Sequence, residues 1–217
     1  DSTSPDRTPG LILREIFDRA GFREDFFHLP AAYRHHPNYP GGLLEHTLNV
    51  TSLALTIADA YAAPGRTGLT FNRASLPIDR DVLIAAGLLH DIGKMQTYRF
   101  DPMPEVNEIN SWEGHLAISY AQVRQVAQPM LDQPPYEGAV DEIEKLLHCI
   151  LSHHGSLEFG SPVVPACAEA FILSQADMTD ARLAEIADAG NDALERTPET
   201  RWIQRNFHLP GGIFIGD

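Results

Sequence analysis

The stretch Val82-Leu83-Ile84-Ala85-Ala86-Gly87-Leu88-Leu89-His90-Asp91-Ile92-Gly93-Lys94 decides how this chain is read. Its first eight residues are apolar or small, which predicts a buried element. His90 and Asp91 then place an imidazole and a carboxylate where that pattern predicts core. Both side chains can ligate a metal. An uncompensated buried carboxylate is costly, so packing alone accounts poorly for the pair.

Outward from this stretch, helical periodicity dominates and strand alternation is scarce. The spacing predicts a short amphipathic helix from Leu11 to Ala20, stopped by Gly21. A loop rich in proline and histidine, Pro30 to Pro40, leads to a long helix over Leu43 to Tyr61. Pro64 to Pro77 reads as a loop, and Asp79 to His90 as the next helix, with Asp79 or Asp81 near its start. Thr97 to Asn110 contains prolines and weak alternation, which favours a short hairpin or ordered loop. Further helices are expected over His115 to Met130, Glu137 to His153 and Pro165 to Ala189, followed by a surface-wrapping tail from Arg201 to Asp217. The expected fold is an all-α helical bundle, with residues 1–10 a disordered leader and 11–217 a single domain.

The chain has 217 residues, which suits one large domain. Sixteen lysines and arginines stand against 30 acids, for a formal net charge of -14. That balance disfavours broad adhesion to nucleic acid or to an anionic membrane. It still admits a nucleic acid end entering a metal-lined pocket, because bound divalent ions attract phosphate locally. The cysteines, Cys149 and Cys167, are too few for a disulfide framework, so a cytoplasmic setting is expected. No stretch is long and apolar enough to span a bilayer, and no membrane partner is expected.

The chemistry lies where polar residues interrupt apolar faces. His46 shares a helical stripe with Val50, Leu53 and Ile57, and His90 shares one with Ala86 and Leu83. By the same spacing His153 joins Ile150 and Leu146, His154 joins Ile150 and Leu147, and Asp177 joins Leu173 and Ala170. His115, after Gly114 at a helix start, is a further candidate. Any one of these histidines alone reads as a core or helix-end residue. Several imidazoles converging with two carboxylates read as a metal site. A set of imidazoles and carboxylates without thiolate suits manganese, iron, zinc, cobalt or nickel. Asp91, adjacent to His90, is placed to bridge to a second ion.

The ordered set His46, His90-Asp91, His115, His153-His154 and Asp177 resembles the HD superfamily of metal-dependent phosphohydrolases, which are all-helical. The local context agrees: Gly41-Gly42-Leu43-Leu44-Glu45-His46-Thr47, the stretch from Leu88 to Lys94, and Glu113-Gly114-His115. The run from Leu151 to Pro162, with Pro30-Ala31-Ala32 and Ala176-Asp177-Met178-Thr179-Asp180-Ala181-Arg182, is similar to the catalytic domain of YhaM-type exoribonucleases. The Gly-Tyr-Pro element of cyclic-di-nucleotide phosphodiesterases is replaced by Phe159-Gly160-Ser161-Pro162.

The resemblance implies that His46, His90, Asp91 and Asp177 ligate one metal. It assigns Asp91, His115 and His153 to a second, with His154 a ligand or a phosphate contact. Lys94 is implied as a contact to a substrate phosphate, with Arg182, Arg34, His35 and His36 as weaker substrate-binding candidates. Glu45 reads first as a solvated face, Glu158 as a turn residue, Cys149 as core, and Trp202 and Phe207 as anchors of the tail. The implied activity is hydrolysis of phosphodiesters in nucleotides or at short single-stranded nucleic acid ends, by a hydroxide that two divalent metals activate. A nucleotidase acting on phosphomonoesters is an alternative. YhaM-type enzymes carry an OB-type domain ahead of the catalytic one, whereas the residues before Leu11 read as a leader. A further alternative is therefore a non-catalytic metal-binding module of a larger protein, such as one associated with conjugation.

Overall fold

The computed structural model describes residues 7–32, 39–62, 70–71, 74–75, 77–100, 103–132, 137–204 and 211–216. In chain order the helices are α1 (Thr8–Phe17), α2 (Phe22–His28), α3 (Gly42–Ala62), α4 (Arg80–Leu89), α5 (Lys94–Thr97), α6 (Ile109–Trp112), α7 (Gly114–Leu131), α8 (Glu137–Ser152) and α9 (Ala168–Arg196). Strands occur only as small antiparallel pairs among the described residues: β1 (Thr70–Phe71) with β2 (Ala74–Ser75), β3 (Tyr98–Phe100) with β4 (Pro104–Val106), and β5 (Trp202–Ile203) with β6 (Ile213–Phe214). The expected all-helical bundle is what forms, and the hairpin expected within Thr97 to Asn110 is β3–β4.

Helix α4 is the axis of the bundle. It packs against α1, α3, α8 and α9, and buries Val82, Leu83, Ala85, Ala86 and Leu89 completely. A helix apolar on every face can be satisfied only inside such a cage. Gly87 is where α3 comes closest: a Cβ there would stand 2.5 Å from Thr51 Oγ1 and 3.2 Å from Thr51 Cα. The N-terminus of α4 is fixed by Asp79, whose carboxylate accepts from the amides of Asp81 (3.0 Å) and Val82 (3.2 Å). Arg7 clamps that cap, pairing with Asp79 and Asp81 at 2.7 Å each and with Glu142 of α8.

This clamp corrects the expected leader. The first helix starts at Thr8 rather than Leu11, and Arg7 to Gly10 belong to the fold. Pro9 lies in the first turn, where a missing amide proton leaves no intrahelical bond unmade. Residues 1–6 lie outside the described residues. Helix α2 was not expected either. It is seven residues long, enters through Gly21 at φ 77°, and is held by stacking of Phe22 and Phe26 and their edge contacts with Phe17. Helix α9 runs past Ala189 to Arg196, because Gly190 is an internal packing point rather than a stop. The tail folds back there, and Ile203 Cδ1 would stand 3.8 Å from a Cβ at that position.

One more glycine positions the chemistry. Helix α4 ends at Leu89, the turn over His90 to Gly93 follows, and α5 begins at Lys94. A Cβ on Gly93 would lie 2.2 Å from the His115 carbonyl oxygen and 2.8 Å from the Ser119 amide. The Gly93 amide donates to Ser119 Oγ at 2.8 Å. The start of α7 can therefore reach the turn that follows α4 only because residue 93 has no side chain.

Two measurements check these statements. Asp79→Ala is expected to destabilise the protein by about 1–2 kcal/mol at neutral pH through loss of the cap. Burial works against ionised Asp79, but Arg7 and the α4 amides outweigh it and hold its pKa below 3.8. A depressed native pKa stabilises above the unfolded value and is lost as pH falls through the native one. The difference between Asp79→Ala and the parent in urea unfolding should accordingly shrink as pH is lowered below 3.8. Gly93→Ala should cost about 1–3 kcal/mol by forcing α5 and α7 apart. Gly211→Ala, with nothing within 4 Å of the added carbon, should stay within about 0.5 kcal/mol of the parent.

Candidate metal centre

Several elements deliver ligand-capable groups to a single point. His46 comes from α3, His90 and Asp91 from the end of α4, Lys94 from the start of α5, and His115 from the first turn of α7. His153 and His154 directly follow α8, and Asp177 lies within α9. His90, Asp91 and His153 are 0%, 2% and 1% exposed.

Asp91 is the centre of this set, and its two oxygens face different partners. Oδ2 lies 3.3 Å from His46 Nε2 and 3.3 Å from His90 Nε2. Oδ1 lies 3.3 Å from His115 Nε2 and 3.6 Å from His153 Nε2. Asp177 Oδ1 adds a second carboxylate at 3.2 Å from His46 Nε2. The Nε2 atoms of His46 and His90 themselves approach to 3.3 Å. The His115 and His154 rings lie with centroids 5.1 Å apart, beside His153.

The far side of four of these rings is occupied. His90 Nδ1 is 2.8 Å from the Gly87 carbonyl, His153 Nδ1 is 2.7 Å from that of Ile150, and His154 Nδ1 is 2.8 Å from that of Phe159. A carbonyl only accepts, so each of these Nδ1 atoms carries a proton, and Nε2 is the ring nitrogen turned toward the others. His46 differs: its Nδ1 meets Asp180 Oδ2 at 2.7 Å.

The electrostatics agree with a cation at this point. Burial alone would push the Asp91 carboxyl up, but the Lys94 ammonium, 2.6 Å from Oδ2, and His90 outweigh it. Asp91 is thereby held well below the usual carboxylate range. Lys94 is in turn raised by Asp91 against the cost of its burial. Burial drives His115 down to about 3 and His153 well below its ordinary value, so both are neutral imidazoles at pH 7. Burial also opposes charge on Asp177, yet its bond to His46 keeps it ionised.

The fit to divalent metal rests on what is left unpaired. Among the described residues Asp91 Oδ1, His115 Nε2 and His153 Nε2 are buried with no hydrogen-bond partner. An unsatisfied buried polar group costs about 1–3 kcal/mol, and three of them within reach of one another point to a shared partner. Among the described residues His46, His90 and Asp91 form one set able to hold an ion, and His115, His153 and His154 another. Neutral imidazoles with carboxylates are the donor set of first-row divalent metals.

The structure thus brings together His46, His90, Asp91, Lys94, His115, His153, His154 and Asp177. It leaves Arg182 half-buried on α9, paired with Glu185 at 2.7 Å. Arg34, His35, His36 and Phe207 lie outside the described residues. Glu45 accepts from the Tyr39 hydroxyl at 2.6 Å, Cys149 is core, and Trp202 packs edge-on against Phe214. Sequence reasoning missed Asp180. Its signal is the spacing of three residues from Asp177, which places both carboxylates on one face of α9.

Comparison with known proteins agrees with this geometry. The chain is 33% identical over 193 residues to a 3'-5' exoribonuclease YhaM of Listeria monocytogenes serotype 4b, covering 89% of this chain and 54% of that protein. It is 29% identical over 204 residues to that of Bacillus licheniformis, covering 94% and 56%. For Bacillus subtilis strain 168 the figures are 30% over 191 residues, 88% and 53%. The chain therefore spans about half the length of the curated relatives it matches. No solved structure matches significantly. The family described as HD domain matches residues 43–182, from the helix that carries His46 to just beyond the Asp177–Asp180 pair, and the chain belongs to that family.

Proposed function

We propose that this chain is a metal-dependent phosphohydrolase that cleaves phosphodiesters, at the end of a short single-stranded nucleic acid or within a nucleotide. The observation that carries the reading is the division of Asp91, one oxygen toward His46 and His90 and the other toward His115 and His153. A carboxylate so divided is suited to bridge two ions. The similarity to proteins named 3'-5' exoribonuclease YhaM supports a nucleic acid end as substrate.

On this reading His46, His90 and Asp177 hold one ion with Asp91, and His115, His153 and His154 hold another. Divalent ions bound there would supply an activated hydroxide and neutralise the charge that develops on phosphate oxygens. The chain supplies the rest. The backbone carbonyls of Gly87, Ile150 and Phe159 lock the ring tautomers, so ligand geometry is set before substrate arrives. Lys94 keeps Asp91 ionised and offers an ammonium to a phosphate at the site. His154, His115 and Asp177 are only partly covered, so they form the side from which substrate enters.

The rim of that side favours a substrate with bases over a small phosphomonoester. Helix α6 packs on α5, which begins at Lys94, and ends at Trp112, three residues before His115. Trp112 is 84% exposed. Leu157 and Phe159, in the turn whose carbonyl holds His154, are 64% and 49% exposed. With a net charge of -14 the protein is poorly suited to track a phosphate backbone by charge, and exposed rings offer a grip by stacking instead.

Chelator-stripped protein reloaded with manganese should hydrolyse bis-nitrophenyl phosphate and shorten a single-stranded oligonucleotide, and Asp91→Ala should abolish both while keeping its helical circular dichroism. Hydrolysis of monoesters alone would favour the nucleotidase reading, and a loaded protein inert toward every ester would favour a non-catalytic module. Trp112→Ala should raise KM for the oligonucleotide about tenfold, from loss of one stacked base. The same variant should leave turnover of the model diester unchanged.

A further inference from the structure

The two halves of the centre are built from different chemistry. On the His46 side stands a further carboxylate, Asp177, 3.2 Å from His46 Nε2. Behind the same ring stands a second, Asp180, 2.7 Å from Nδ1. On the His115 side the ligand-capable groups are the imidazoles of His115, His153 and His154. The anionic atom placed against His115 (3.3 Å) and His153 (3.6 Å) is Asp91 Oδ1, which is shared. The Lys94 ammonium rests on Oδ2 and offsets part of the charge on the His46 side, yet two carboxylates still stand there against one ammonium.

The outer contacts of the rings differ in the same direction. His90, His153 and His154 each donate to a backbone carbonyl, whereas His46 donates to a carboxylate. A carboxylate acceptor pulls the Nδ1 proton more strongly and makes Nε2 the better donor to a metal. Asp180 also holds the ring in place, being itself mostly buried on α9 one turn from Asp177.

We infer that Asp180 is a positioning residue that makes the His46 side the tighter of two unequal metal positions, so that the chain loads one ion before the other. This rests on the two-metal reading proposed above. The consequence is a singly loaded form at intermediate metal concentration, with the His115 side filled from free metal in the surroundings. Hydrolysis would then follow the occupancy of the weaker position.

The test is a titration of chelator-stripped full chain with cobalt(II) or manganese(II), followed by isothermal calorimetry and by the visible absorption of bound cobalt. Two steps separated by roughly tenfold or more in Kd are expected for the parent. Asp180→Asn should weaken the first step roughly 10–100-fold and alter the cobalt spectrum of that step, with the second step little changed. His154→Ala should weaken the second step only, and Asp188→Asn, further along α9, neither. Two steps of equal affinity in the parent would overturn the inference, as would a folded Asp180→Asn protein with the parent's first step. A parent chain that binds one ion or none would overturn the two-metal reading itself, so the two failures are distinguishable.

Discussion

Everything in this molecule depends on placing the Asp91 carboxylate, 2% exposed, at the meeting point of the long helices. An ion taken out of water at such a point must be met by opposite charge or it would be protonated instead. Lys94 meets part of this need at Oδ2. Among the described residues Oδ1 is met by the Nε2 edges of two neutral rings alone. The fold therefore leaves a hole of negative character, which a divalent cation is suited to complete. Metal binding and stability are linked in such a protein, because an ion that binds the native chain alone adds its binding energy to folding.

The scaffold is arranged so that the strained point is surrounded by the most secure packing. Helix α4 is enclosed on all sides, capped by Asp79 and clamped by Arg7. Its C-terminal turn then carries His90 and Asp91 into place with little freedom. The absence of side chains at Gly87 and Gly93 lets α3 and α7 close to the distances at which His46 and His115 reach the same carboxylate. Rigid elements rather than loops thus hold most of the ligand-capable groups, which is what a pre-organised centre requires.

Much of this was legible in the sequence, for a physical reason. A polar residue on an otherwise apolar helical stripe is carried inward: His46, His90 and His153 show that pattern and are buried, and Asp177 shows it and is partly covered. The long helices followed from the same stripes. What escaped had no such signature. The seven residues of α2 are too few for a period, and their stability comes from the Phe17, Phe22 and Phe26 rings meeting in space. The C-terminal turns of α9 were hidden by Gly190, which breaks helices in isolation but here makes room for the returning tail. Asp180 looks like one more surface acid in an acidic chain, and its spacing from Asp177 gains meaning only from its distance to His46. Arg7 was read as part of a leader because its partners, Asp79, Asp81 and Glu142, are far away in sequence.

The central claim is that Asp91 bridges two metal ions held by different sets of histidines. Anomalous diffraction from crystals of the manganese-loaded protein tests it most directly. Two peaks are predicted within coordination distance of Asp91, one beside Oδ2 among His46, His90 and Asp177, the other beside Oδ1 among His115, His153 and His154. A single peak, or peaks away from Asp91, would contradict the account.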